Sequence, residues 1–342
     1  MNAVQPLPGT VSAVSQTLAF RGIIREVIDL GPGLRRLVLG GPDLAHLGLN
    51  GPTLDLRFKV IVPAEGAREA SIGAVLEPLL PHTVVEQDTE QSWYQQWLQA
   101  PVSQRGLMRT YTIRALRDVE GERRMDVDLV LHGVGPDGSV GPGCGPAAAF
   151  AANAAVGDAL YLLGPNRHLT DADYGGIDFR PGQASHLLIV GDETAAPAIC
   201  SILDELPRTA TGWALIEVPD AGQIQDVTPP DGVEVRWLVR GGEQAVGALL
   251  APAVAQTAPL WLASSVTPSD SAAAYGKEPE DVDVDQSVLW ESPLQNSSRD
   301  YAWIAGEAGV VKELRRHLVR DLGVDRTRIA FMGYWRQGRS GD

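Results

Sequence analysis

The run MRTYTIR, residues 108–114, sets two arginines around Tyr-Thr inside a chain of 342 residues whose formal net charge is −15. Arginine offers planar bidentate donors for phosphate, tyrosine a stacking face with a hydroxyl, and threonine one adjustable donor and acceptor. Together they suit a flat aromatic ring joined to phosphates. Strand alternation puts Arg109 and Tyr111 on one face and Thr110, Thr112 and Arg114 on the other. Some members must therefore be structural or act through their backbone.

Three further stretches could hold an anion. GPGCGPAAAF, residues 141–150, is a glycine-rich loop opening a helix, where glycines allow close backbone approach and the first-turn amides are free. GDETAAPAI, residues 191–199, and AGEAG, residues 305–309, each run from a strand through a small-residue turn into a helix, the place where open α/β sheets bind ligands. Neither contains G-x-G-x-x-G, and by spacing each also reads as an ordinary strand-to-helix turn. His132 ends the run DVDLVLHG on the same face as Asp128 and Val130. With no second His or Cys at ligand spacing, no metal site is indicated.

These residues need a framework to converge. From about residue 19 to 165 the chain alternates short β-branched runs with Gly, Pro and Asp turns, as in AFRGIIREVIDLG, LRRLVLGG, LDLRFKVIVP and DALYLLGP, which predicts an antiparallel barrel or sandwich. AAAFAANAA, residues 147–155, reads as a helix wedged between two of its strands. An insertion at about 64–104 reads as a surface loop with one helical piece around 92–99. Beyond Pro181 the rhythm changes. SHLLIVGDE, GWALIEV, VEVRWLV, YAWIAGE and RIAFMGYW are apolar strands alternating with helices, which predicts a parallel, doubly wound sheet. A helix is expected over residues 245–256, and an acidic loop spans about 264–300. The expected division is a tail at 1–18, a β domain at 19–180 and an α/β domain at 181–342.

Composition narrows the partners. A pI near 4.8 leaves no electrostatic footprint for nucleic acid. No basic-then-apolar leader opens the chain, and no stretch of eighteen apolar residues occurs, so a soluble, unexported, cytoplasmic protein without a membrane segment is expected. Cys144 and Cys200 are too far apart and too isolated to suggest a disulfide framework or zinc.

Taken in order, R-x-Y-T-x-R, a strand ending in His, GP-A at a helix start, GDET..PAI, W-L-x-R, Y-A-W-x-A-G-E and G-Y-W-R-x-G resemble the siderophore-interacting protein family of flavin-dependent ferric-siderophore reductases. The resemblance covers most of residues 19–338. It implies an antiparallel FAD-binding β-barrel followed by a doubly wound NAD(P)H-binding domain, in the ferredoxin-reductase-like superfamily. It implies that Arg109 meets the FAD pyrophosphate, Tyr111 packs on the isoalloxazine and Thr112 bonds near its reactive edge, with His132, Gly145, Ala147 and Ala148 completing the flavin site. Asp192, Glu193, Thr194, Gly306 and Glu307 would form the nicotinamide side, and Tyr334 and Trp335 would close over the flavin. The implied activity is reduction of ferric siderophore to release Fe(II) with NAD(P)H as donor, and ferredoxin is a second donor the resemblance allows. A reductase of another acceptor, such as a quinone, and a non-catalytic siderophore-binding protein are the alternatives.

Two departures bear on the site. The family's GPAS followed by Trp is here Gly145-Pro146-Ala147-Ala148-Ala149-Phe150, so phosphate contact there would rest on backbone amides. The lysines are limited to Lys59, Lys277 and Lys312, so an anionic siderophore would be met by arginine, with Arg35, Arg36, Arg336 and Arg339 as candidates. Donor choice stays open. Glu217 at one strand end favours a ribose 2'-hydroxyl, and Arg240 at the next favours a 2'-phosphate.

Overall fold

The computed structural model describes residues 15–64, 67–82, 93–135, 137–241, 244–264, 289–293 and 296–338. Most of the acidic loop, with Lys277, and Arg339 lie outside them. The first sheet holds β1 (Thr17–Gly31), β2 (Leu34–Gly40), β3 (Arg57–Val62), β4 (Leu107–Thr112), β5 (Ala115–Val119), β6 (Glu122–Val130) and β7 (Ala159–Pro165). It is antiparallel throughout, in the order β4-β3-β7-β1-β2-β6-β5, and curls into a half-barrel. Phe20, Leu37, Leu39, Phe58, Val60, Met125 and Leu162 fill its concave face, each burial contributing about 1.5–3 kcal/mol.

The RTYTIR segment draws the half-barrel together. The Ile113 amide donates to the Leu56 carbonyl ahead of β3, and the next amide, Arg114, donates to Asp126 of β6, both at 2.9 Å. The two flanks of the curl are thus tied by consecutive residues just after β4, which fixes where its side chains point.

The insertion carries more structure than its sequence suggests. Besides α2 (Trp93–Gln99), it forms α1 (Glu69–Leu76) and α3 (Val102–Arg105). Ile72, Leu76, Leu79, Leu80 and Trp97 pack on Ala19, Ile61, Tyr161 and Leu163 of the sheet's convex face. Burial of these residues explains why a run without clear period folds. Between β6 and β7, α4 (Pro146–Asn153) forms where the alanine-rich run predicts it, with Ala147 and Ala151 in the concave core.

The second sheet comprises β8 (His186–Gly191), β9 (Thr211–Val218), β10 (Gly232–Val239), β11 (Trp290–Glu291), β12 (Asp300–Glu307) and β13 (Ile329–Trp335), in the order β10-β9-β8-β12-β13-β11. It is parallel except for β11, a two-residue antiparallel edge strand on β13. Its central strands β8, β9 and β12 are buried on both faces. Leu187 and Ile189 pack with α5 (Ala196–Glu205), while Leu188 and Val190 pack with α6 (Leu250–Ser264) and α7 (Ala308–Arg315). The strand order reverses between β8 and β12, and the helices that follow them lie on opposite faces. Gly191-Asp192 and Gly306-Glu307 therefore flank the switch-point crevice.

Buried polar contacts join the two sheets. Asp55 accepts from the amides of Asp178 and Phe179 and from the Trp303 indole of β12 at 3.1 Å. Arg114 pairs with Asp204 of α5 at 2.8 Å, and Glu205 accepts from Thr53 and the Leu54 amide. Burial lifts Asp55 to a pKa of about 6, the Phe179 amide opposing, with Asp178 adding to the rise and Trp303 also opposing. Its folded pKa lies above its unfolded one, so its contribution to stability is complete below about pH 4 and fades as pH rises through 6. The ceiling is about 3 kcal/mol. Denaturant titrations between pH 4 and 7 should show Asp55→Asn losing this part of the pH slope; an unchanged slope would refute the assignment.

Candidate cofactor site between the two sheets

The first-sheet wall is built from β4 and α4. Arg109, half-buried, has one side-chain hydrogen bond among the described residues, from Nη1 to its neighbour's carbonyl, Met108 O, at 2.8 Å. Its guanidinium is otherwise uncommitted. Tyr111 packs with Phe150, Val60 and Leu162, and burial pushes its phenol up to about 12, Arg109 opposing. Pro63, Ala64 and Leu107 face Pro146, Ala149 and Phe150 across an open groove of about 530 Å³. At the groove's far side α4 begins after Gly145, which is extended (φ −68°, ψ 153°) and supplies no side-chain cap. An uncommitted arginine, a groove and an uncapped eight-residue helix start suit a long ligand carrying a pyrophosphate. FAD fits these residues.

On the other face of β4, Thr110 accepts from Lys59 Nζ at 2.6 Å, and Thr112 is buried near the Tyr334 phenol. Tyr334 stacks on Trp290 with ring centroids 5.7 Å apart and meets Trp303 edge-on at 6.2 Å. Burial lifts its pKa well above the ordinary value, with Asp55 pushing the same way and Thr112 opposing, and among the described residues its hydroxyl has no hydrogen bond of ordinary geometry. The Arg57 guanidinium lies 4.5 Å over the Trp290 ring and pairs with Asp178 at 2.8 Å. The alternation expected for RTYTIR places Arg109 and Tyr111 on the groove side and Thr112 and Arg114 toward the second sheet.

The second-sheet wall centres on Asp192. Its Oδ1 accepts from the Thr194 amide at 2.9 Å and hydroxyl at 2.6 Å. Its Oδ2 accepts from the Glu307 amide at 2.7 Å and the Trp335 indole at 2.8 Å. Burial, then Glu193, raise its pKa to about 6 against the pull of these donors. Trp335 in turn lies beside His132, with centroids 5.4 Å apart and planes 31° from parallel. Burial lowers the His132 pKa, Glu193 opposing and Arg240 assisting. His132 follows β6 in a turn, so the strand ends two residues earlier than its sequence suggests.

Several candidates have other partners. Arg240 pairs bidentately with Glu193 at 2.8 Å and with Glu217 at 3.2 Å. Glu217 also accepts the amides of Gly247, Leu249 and Leu250, which starts α6 at Leu250, five residues past its expected beginning. The two supposed ribose selectors therefore bind each other. Arg35 bonds Asp29 and the Ala151 and Ala152 carbonyls at the end of α4, and Arg36 forks onto Asp128 at 2.6 and 2.8 Å. Both are held by partners within the first sheet and α4, and Arg336 has an interaction of its own. The residues sequence reasoning missed are Asp55, Arg57 and Trp290, and Lys59, which it noted only as one of three lysines. The alternation of Arg57 and Lys59 around buried Phe58 was the one signal, and it marked those two alone.

No group of three or more His, Cys, Asp or Glu that could hold a metal occurs among the described residues, and no helix there is long and apolar enough to cross a membrane. Residues 23–169 match the model of the siderophore-interacting FAD-binding domain, and residues 184–338 match that of the siderophore-interacting protein. The chain belongs to the siderophore-interacting protein family. An uncharacterised family relative from Mycobacterium tuberculosis is 31% identical over 250 residues, 70% of this chain and 69% of its own. Ferric vibriobactin reductase ViuB of Vibrio cholerae is 28% identical over 232 residues, 68% of this chain and 65% of its own. A siderophore utilization protein from T. fusca superposes with a TM-score of 0.60 at 28% identity, covering 95% of each chain.

Proposed function

We propose that this protein is an FAD-dependent ferric-siderophore reductase drawing on a nicotinamide donor. The observation that carries the reading is Arg109, a guanidinium without a carboxylate partner among the described residues, beside Tyr111 and a groove that ends at the uncapped start of α4. Sequence similarity to a ferric vibriobactin reductase supports the choice of acceptor.

Arg109 would hold the pyrophosphate of FAD, and the amides of Ala147 and Ala148 after Gly145 would complete the seat. Tyr111 and Phe150 would supply flat apolar surface on the groove side, and Thr112 would offer a hydroxyl on the face toward the second sheet. FAD, when bound, accepts two electrons together and releases them singly, which a one-electron iron acceptor requires. Lys59 brings positive charge to the cleft for an anionic ferric chelate, burial lowering its pKa, while Arg57 is paired with Asp178. His132, Tyr334 and Trp335 cover the cleft and exclude water. Asp192, Thr194, Gly306 and Glu307 fix the second-sheet wall against which the donor approaches. Iron enters as substrate; once reduced it binds hard oxygen chelators less tightly, so the chain needs no ligands of its own for it.

The visible spectrum of the purified protein tests the seat. A yellow protein, or a colourless one that takes up FAD on reconstitution and is then bleached anaerobically by NADH or NADPH, is expected. A protein that takes up no FAD would end this reading.

A further inference from the structure

The second sheet has the strand order and the switch-point crevice of a dinucleotide-binding fold, yet the groups that would receive a diphosphate there are already occupied by the chain's own carboxylates. Three helix starts open onto the carboxyl edge of its parallel strands; those of α6 and α7 are capped by a carboxylate, and the turn just ahead of α5, a helix without a side-chain cap of its own, is held by another. Asp192 takes the Thr194 amide and hydroxyl ahead of α5 and reaches across to the Glu307 amide. Glu217 takes three amides at the start of α6. Glu307 accepts the Val310 amide of α7 at 3.0 Å. Such amides are what a phosphate needs from a helix start.

The glycines of the crevice also serve internal packing. A Cβ on Gly306, whose φ is +146°, would sit 2.6 Å from Asp192 Oδ2, so the room this glycine leaves is filled by that carboxylate. A Cβ on Gly191 would meet the Ala195 Cβ at 2.6 Å and the Ala305 carbonyl at 2.9 Å. The loop after β9, where a dinucleotide fold receives the adenosine ribose, packs on the first sheet instead: Gln223 Nε2 donates to Pro32 O at 2.5 Å. A Cβ on Gly31 would strike Gly222 O at 1.9 Å. Arg240 is bound to Glu193 and Glu217, and among the described residues neither Asp192 nor Glu307 has an ion-pair partner. A diphosphate placed beside them would meet like charge in a poorly hydrated crevice.

We infer that the crevice excludes the diphosphate of a dinucleotide, with Asp192 as the excluding group, so that a nicotinamide donor is recognised through its ring end only. This rests on the reading of the protein as a flavin reductase, and ADP-ribose binding, which needs no electron transfer, separates the two. Calorimetric titration of the FAD-loaded protein with ADP-ribose to about 1 mM should give no saturable heat. Asp192→Ala, which frees the Thr194 and Glu307 amides, should bind ADP-ribose with a Kd below about 100 µM. The wild-type protein decides the matter even if this variant fails to fold. NADH and reduced nicotinamide mononucleotide should bleach its flavin with second-order rates within about three-fold of each other, because the adenosine diphosphate half contributes no binding energy. Saturable wild-type binding of ADP-ribose below about 100 µM, or a preference for NADH above about ten-fold, would overturn the exclusion. A folded Asp192→Ala protein that binds ADP-ribose no better than wild type would overturn the role of Asp192. Failure of chemically reduced holoprotein to reduce a ferric siderophore would instead sink the reductase reading and leave these binding results standing.

Discussion

Arg109→Ala is expected to fold normally and to lose FAD. The side chain's one hydrogen bond among the described residues is to the carbonyl of the preceding residue, so its removal breaks no ion pair and exposes no buried carboxylate. Apoprotein stability should therefore move by less than about 0.5 kcal/mol. A forked guanidinium on a pyrophosphate is worth far more, about 3 kcal/mol for two charge-assisted bonds, or roughly a hundred-fold in Kd. Arg109→Lys should recover part of the loss, since ammonium keeps the charge but not the planar fork. Fluorescence titration of apoprotein with FAD measures both. An Arg109→Ala protein with wild-type affinity would remove the anchor of the proposed site.

Arg114, five residues along the same motif, should behave in the opposite way. Its side chain is 10% exposed and pairs with Asp204 at 2.8 Å across the junction of the two sheets. Removing one member of a buried pair leaves the other without its partner, and although Asp204 also accepts the Thr228 amide, it is only 32% exposed. Arg114→Ala should lower unfolding stability by about 2–4 kcal/mol. FAD affinity should stay within about three-fold of wild type, a shift of less than 0.7 kcal/mol or so. A double-mutant cycle with Asp204→Ala isolates the pair from the packing of its stems. If Arg114→Ala releases FAD while unfolding at the wild-type denaturant midpoint, this arginine belongs to the cofactor seat and not to the junction.

The contrast between these arginines was legible in sequence as far as side-chain direction, because alternation is a local property of a strand. The run LLIV in β8 likewise announced a strand buried on both faces. What could not be read is where distant chain returns. Asp192 finds two of its donors 115 and 143 residues away, so its turn looked like an open phosphate seat. Glu217 and Arg240 each ended a strand and each suggested a ribose contact, because nothing local says that they meet at the start of α6. Ile72 and Leu76 carried too weak a period to predict α1, which forms because the convex face of the first sheet gives them a surface to cover.

The most direct test of the account is to mix anaerobic, chemically reduced holoprotein with a ferric siderophore and follow the flavin spectrum with a ferrous chelator present. The account predicts return of the oxidised flavin spectrum at a rate that saturates with siderophore, trapping about two ferrous ions per flavin. A flavin that stays reduced under ferric siderophore, while a quinone reoxidises it, would contradict the account and assign the fold another acceptor.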